Sequence, residues 1–321
     1  MKRRTTFPLA LEPVAGARFQ PTGFPNLGAA LFERFDPSTG AEVSCLHVES
    51  PQSMANRFEA TVWNGAEQRP VDECAGIPYV EVVDTNGEFL TSSRLEAHRL
   101  ASAYVMDAQF DNQTFETFVG SRLGLVAGKP VNHQQIAQAV FDLDPLSLVH
   151  GVFFARKNWP QQPKIARAVT SFIDADDVRV AASGGIKTDS VNPRSDKNDG
   201  RGAETGYGMV PHLRTEYTAR TITAYVTVDI EQLQSYGLGA KRTALLEALV
   251  WFELTHFFSD EGMRLRTACD LKVTNLATLP KTEAQASEDL ADAVSALEGD
   301  LAEKTVVVWS GPAAKGKKDA S

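Results

Sequence analysis

Apolar and polar residues alternate most regularly over Thr221–Ile230. Ile222, Ala224, Val226, Val228 and Ile230 form one face, and Thr221, Thr223, Tyr225, Thr227 and Asp229 form the other. A period of two sustained this long predicts a strand with one face in the core and the other against water or a ligand. After Gly237 and Gly239 the pattern changes to a helix over about Lys241–Phe258. Leu245, Ala248, Leu249 and Phe252 share one of its faces, while Leu246, Val250, Trp251 and Phe257 fill others. A helix that is apolar on most sides belongs inside a domain. A second helix is expected over Arg94–Ala108, where Ala97, Leu100, Ala101, Tyr104 and Val105 make one stripe. Ser93 and Glu96 have the spacing of a capping box. That cap would leave Arg94, His98 and Arg99 on or near the first turns, where a helix N-terminus favours phosphate.

Further strands are expected at Val43–Glu49, Tyr79–Val83, Leu148–Ala155, Val169–Ala175 and Thr305–Trp309, with a shorter helix at Asn132–Phe141. The helices are too few for a doubly wound sheet, and an α+β fold with a split βαβ core is the simplest packing. Ser183–Arg214 contains eight Gly or Pro residues and many charges, so it reads as a long loop. An insertion of that length inside a compact domain is functional or lacks fixed structure. Gly311–Ser321 is small, polar and lysine-bearing, and is expected to be a disordered tail.

The formal net charge is −9 and the pI is about 5.3, which counts against a generally basic, nucleic-acid-binding exterior. The acid is unevenly spread. Between Lys281 and Lys304 lie seven acidic residues and no basic ones, in a stretch that reads as an exposed amphipathic helix. No apolar run is long enough to span a membrane. Lys2, Arg3 and Arg4 are followed by Pro8, Glu12 and Pro13 rather than an apolar segment, so a cytoplasmic protein without a signal peptide is expected.

Cys45, Cys74 and Cys269 are scattered, with no CxxC pair, and read as reduced, mostly buried thiols. The six histidines show no HxH or HExxH spacing, so no metal site is expected. Gly184-Gly185-Ile186-Lys187-Thr188 departs from a P-loop because Ile186 separates glycine from lysine, and Gly206-Tyr207-Gly208 runs into Pro211. No cofactor is expected from either. A flexible loop offering backbone N–H groups and Lys187 to a phosphate backbone asks less of the sequence. No nucleophile setting occurs, and Asp174, Asp176 and Asp177 crowd a strand end, where a solvated turn is the default. Basic residues do cluster. Arg156, Lys157, Lys164 and Arg167 interleave with Phe154 and Trp159 in a pattern that suits stacking with phosphate contact. Arg264 and Arg266 flank Leu265 in a tight loop after Gly262, and Arg214 and Arg220 bracket the entry to the best strand.

Several blocks, in order, resemble the backbone (Cas-seven-type) subunit of type I-G CRISPR complexes, formerly type I-U. They are Phe89–Ser102, Ala181–Pro193, Gly206–Ala219, Ser235–Leu238 and Gly262–Leu271. The resemblance runs from about Asn56 to Leu271. It implies a modified RRM-like (ferredoxin-like) core with finger and thumb insertions. Residues 1–55 would be an N-terminal extension with the first core strand. The palm would cover 56–275 with a thumb near 183–214, the acidic helix and final strand 276–310, and the tail 311–321.

By the same resemblance, Ser92, Ser93, Arg94 and Arg99 would hold guide phosphates, and His98, beside Arg99 on the expected helix, is a further candidate for a phosphate contact. Gly184, Gly185, Lys187 and Arg214 would belong to the thumb, and Met209 would be the apolar wedge between bases. Arg264 and Arg266 would sit near the RNA. The implied partners are guide RNA, target DNA by way of the guide, further copies of the chain in a filament and other Cascade subunits, with no membrane. Guide–target pairing reads sequence in such complexes, so a subunit needs one basic groove and no base-reading motif. A competing reading is an RNA-processing or target-cleaving nuclease of the same superfamily, in which a loop carboxylate such as Asp189 would be recruited.

Overall fold

The structure is a computed structural model and describes residues 4–24, 28–187, 205, 206, 208, 210–259 and 262–311. In β1 (Arg4–Pro13), Phe7, Leu9 and Leu11 point inward while Thr6, Pro8 and Ala10 point out. Pro8 is tolerated because its missing N–H would face a flank that no strand covers there. On that flank the Ala10 N–H donates instead to the Asn275 side chain at 2.8 Å. Then come β2 (Gly23–Phe24), β3 (Gly28–Phe35), β4 (Glu42–Glu49) and α1 (Pro51–Ala60), which Ser50 caps with proline in the first turn. The middle of the chain holds β5 (Trp63–Asn64), β6 (Arg69–Pro70), β7 (Val80–Val83) and β8 (Phe89–Ser92). It continues through α2 (Ala103–Met106), β9 (Gln109–Phe110), β10 (Gln113–Thr114) and α3 (Phe115–Arg122).

Next are α4 (His133–Leu143), α5 (Leu146–Val149), β11 (Val152–Phe153) and β12 (Lys164–Ile165). The strands β13 (Val169–Asp176), β14 (Arg179–Lys187), β15 (Val210–Thr218) and β16 (Thr221–Asp229) follow. The chain ends in α6 (Ile230–Ser235), α7 (Ala240–Phe257), β17 (Met263–Arg266), β18 (Cys269–Val273), α8 (Glu283–Ser295) and β19 (Thr305–Val308).

Eight strands form one sheet in the order β17-β18-β1-β16-β13-β4-β3-β2. At its centre β16 runs antiparallel to both β1 and β13, so β1 and β13 are parallel to each other with β16 between them. The succession β1, α1, β13, β16, α7, β18 therefore occupies four neighbouring places in the order β18-β1-β16-β13. Both helices cover one face: α1 packs on β13 and on α7, and Trp251 of α7 stacks on Phe7 at 6.5 Å. The other face carries partly exposed side chains, with Phe172 stacked on Tyr225 at 5.2 Å and Arg34 paired to Asp176 at 2.8 Å. A second sheet, β10-β9-β19-β7-β8, carries β19 parallel to β7. The core is continuous from Phe7 to Val307.

Three elements correct the sequence expectations. Arg94–Ala108 is not one helix: it is a turn, a 3-10 turn at Arg99–Ala101 and the short α2. Ser93 caps nothing there, because its hydroxyl accepts from the Val80 N–H at 3.2 Å, and Ser102 caps α2. Leu148–Ala155 is not one strand, since α5 ends and the chain turns at Gly151 before β11 begins. The loop expected at Ser183–Arg214 is entered and left by strands. β14 and β15 pair over nine positions, Arg179↔Thr218 to Lys187↔Val210, as an arm between β13 and β16. The helix expected in the acidic stretch forms as α8, which buries Ala286, Leu290 and Ala293. All three cysteines are buried and free.

Candidate nucleic-acid interface

A cleft of about 770 Å³ opens where the turn after β8, the β11–β12 ribbon and the start of α1 meet. Its titratable lining residues are His98, Arg99, His150, Arg156, Lys164 and Arg167, and no carboxylate among the described residues lines it. That composition stands out in a chain of net charge −9. Arg156 is neutralised by Asp107 at 3.1 Å and Glu116 at 3.4 Å. Arg167 donates to the Gln52 side chain and, like the exposed Lys164, has no carboxylate partner among the described residues. Burial, together with the positive charge of Arg99, lowers the Arg167 pKa. An anion entering the cleft would relieve that repulsion.

Local backbone geometry sets the wall. Gly151 has φ +79°, and a Cβ there would lie 2.7 Å from the Ile165 carbonyl oxygen, so the two ribbon strands cross this closely only over glycine. From Gly151 onward the strand period turns Val152 inward, Phe153 outward and Phe154 inward. Phe153 is 49% exposed on the cleft wall, whereas Phe154 is buried and packs on Trp159 at 5.7 Å. An exposed ring beside uncompensated cations is the pairing that takes a base and its phosphate together.

Beneath the cleft lies a buried ionic layer. Arg99, held at φ +52°, donates to both Glu59 oxygens at 2.5 and 2.7 Å and to the Gly151 carbonyl at 3.1 Å. It thus ties α1 to the ribbon. His150 Nε2 lies 2.8 Å from Glu253 Oε2. Burial pushes His150 down to about 4 and raises Glu253 well above the usual carboxylate range. Arg94 donates to the Ile77 carbonyl at 2.9 Å, and its guanidinium sits 5.0 Å from the centre of the Tyr79 ring. Glu96 accepts from Thr91 and Ser102, each at 2.8 Å, and pins the turn.

Of the residues that the blocks of family resemblance contribute, only His98 and Arg99 reach the cleft, His98 exposed on its rim and Arg99 in its floor. Ser92, Ser93, Arg94 and Arg99 are buried, not displayed on exposed helical turns. Gly184, Gly185, Lys187 and Arg214 lie on the β14–β15 arm, with Arg214 near Glu216 at 3.4 Å. Arg264 is exposed on β17, 3.9 Å from Asp270. Arg266 bonds the buried Glu49, which also takes Arg57, and the Gln20 carbonyl at 3.0 Å. Met209 and Asp189 fall outside the described residues. The basic run Arg156, Lys164, Arg167 does converge, with Phe153 in the place where the sequence pointed to Phe154. Among the described residues no group of His, Cys, Asp and Glu could hold a metal ion, and no helix is long and apolar enough to cross a membrane.

The molecule is thus an α+β protein with one acid-free cationic cleft and a long two-stranded arm. The family model for CRISPR-associated protein GSU0053 matches residues 7–180, more than half of the chain, and the chain belongs to that family. No curated protein matches. Among solved structures, a chain of a "CRISPR RNA-guided surveillance complex, pre-nicking" is similar at TM-score 0.37 and 13% identity, over 78% of this chain and 68% of that one. Csc2 of Thermofilum pendens is similar at TM-score 0.32 and 9% identity, over 92% and 77%. Likenesses this low carry neither fold nor function across.

Proposed function

We propose that the chain is a non-catalytic, guide-RNA-binding backbone subunit of a type I CRISPR effector complex, of the Cas-seven type and the I-G subtype. It oligomerises along the crRNA in the cytoplasm and supports target DNA recognition through the guide. The observation that carries this reading is the acid-free cleft with Lys164 and Arg167 lacking carboxylate partners among the described residues and Phe153 exposed beside them. Membership of a CRISPR-associated family supplies the biological setting. The strand order β18-β1-β16-β13, with α1 and α7 on one face, supports reading the centre as an RRM-like palm whose first core strand, β1, lies in 1–55 and whose other three strands lie in 56–275.

In this reading Lys164, Arg167 and His98 meet phosphates and Phe153 stacks on a base. The buried Arg94 and Arg99, with Ser92 and Ser93, hold the cleft floor from below. The β14–β15 arm is the thumb, with Lys187 and Arg214 along it, Gly184 and Gly185 in its ladder and Met209 as its wedge. It reaches over the RNA to the next copy. Arg264 and Arg266 flank the same path. The net charge of −9 fits a subunit that needs one basic groove and no basic exterior.

The test is co-expression with a repeat–spacer array, followed by the absorbance ratio at 260 and 280 nm across the size-exclusion peak. A large species carrying RNA of one length is expected. An RNA-free monomer, unchanged when the other complex subunits are added, would overturn the reading.

A further inference from the structure

The acidic C-terminal stretch ends beside an apolar groove of about 950 Å³, apart from the cleft and sharing no residue with it. The groove runs between the segment Arg69–Tyr79 and the last turn of α8 with the residues after it. Its floor is Ile77, Tyr79, Val294, Leu297 and Leu301. Leu297 is buried in the hydrophobic core, and Tyr79 is held by Trp63 edge-on at 5.8 Å and by Arg94 beside its ring. The floor is therefore fixed by core contacts.

The rim is acidic. Its two cations are already neutralised: Arg69 by Glu67 and Asp72, and Lys304 by Glu81 at 3.0 Å. Glu73, Glu298 and Glu303 remain exposed with no ion pair among the described residues. A groove of this sign repels nucleic acid and selects a polypeptide of opposite charge. An apolar floor between acidic rims matches the helix-in-groove mode, in which apolar anchors insert and flanking cations meet the rim.

We propose that this groove docks a cationic amphipathic segment of another protein. Apolar side chains of the segment enter between Tyr79 and Leu301, and its Lys or Arg residues pair with Glu73, Glu298 and Glu303. The exposed carboxylates set the sign of the partner and the buried floor sets its need for anchors.

The full chain is titrated with a fluorescein-labelled peptide that carries leucines on one helical face and lysines on the other. Saturable binding is expected, with hydrogen-exchange protection gathered at 72–79 and 291–304. The triple variant Glu73→Lys/Glu298→Lys/Glu303→Lys, which touches only exposed side chains, should bind about tenfold or more weakly. The single variant Leu301→Ser should weaken binding while leaving its salt dependence in place. The proposal is overturned by equal binding of the matching leucine–glutamate peptide, by affinity that ignores rim reversal, or by protection elsewhere. It is also overturned if no binding is seen, or if the chain dimerises through this groove, with sedimentation showing a dimer that the triple variant abolishes.

Discussion

Arginines meet two opposite fates within one cleft. In the floor, Arg99 is buried, donating from Nε and Nη2 to the two Glu59 oxygens and from Nη1 to the Gly151 carbonyl. On the wall, Arg167 has an amide neighbour in Gln52 and no carboxylate partner among the described residues. The floor charge is spent on holding α1 against the ribbon, and the wall charge stays free for an anion. A buried charge with its partner in place rigidifies a site, whereas a cation without one gives it affinity. Loss of the first should therefore destabilise the fold, and loss of the second should leave it as stable and weakly binding.

The largest expected effect is on the floor. Arg99→Ala strands Glu59 in the core and should cost about 3–5 kcal/mol in urea denaturation. The double variant Arg99→Met/Glu59→Leu should recover most of that loss, because no uncompensated charge remains. If the double is as unstable as the single, the pair is not what holds the floor. Next, Gly151→Ala places a Cβ against the Ile165 carbonyl at positive φ and should cost about 2 kcal/mol. It should also loosen RNA binding, since the ribbon carries both Phe153 and Lys164.

Glu253 gives a smaller effect with a defined sign. Its folded pKa is raised, so its contribution to stability is full below the ordinary carboxylate value and is lost as pH rises through the folded pKa. Glu253→Gln removes that dependence. The stability of the variant relative to the parent should rise between acid and alkaline pH, measured as paired urea midpoints. A difference that stays flat, or falls, would mean that Glu253 is ionised in the fold. His150, depressed to about 4, acts the other way, losing stability as pH falls from about 6.5, and it faces Glu253 at 2.8 Å, so the Glu253 effect is isolated on the alkaline side, above the range in which His150 titrates.

The alternation of β13 and β16, the apolar wrap of α7 and the short helix α4 could all be read from the sequence, because each is set by neighbours a few residues away. The floor could not. Arg99 finds Glu59 forty positions earlier on α1, a helix whose own stripe is too short to stand out. The apolar stripe after Arg94 is real, but it serves three short pieces that Glu96 folds back on themselves. On the ribbon the basic run was visible, while the choice between Phe153 and Phe154 depended on where the turn at Gly151 resets the strand. Gly184 and Gly185 suggested the start of a loop, yet both sit in the β14–β15 ladder: a Cβ on Gly184 would lie 2.6 Å from the His212 carbonyl oxygen.

The most direct test of the cleft is an anisotropy titration of labelled guide RNA over a range of salt, comparing the parent with Lys164→Ala/Arg167→Ala. The account predicts an unchanged melting temperature, weaker binding and a salt slope shallower by about 1.4, the loss of two phosphate contacts to single-stranded RNA. Superimposable titrations with the same slope would contradict it and place the RNA elsewhere on the molecule.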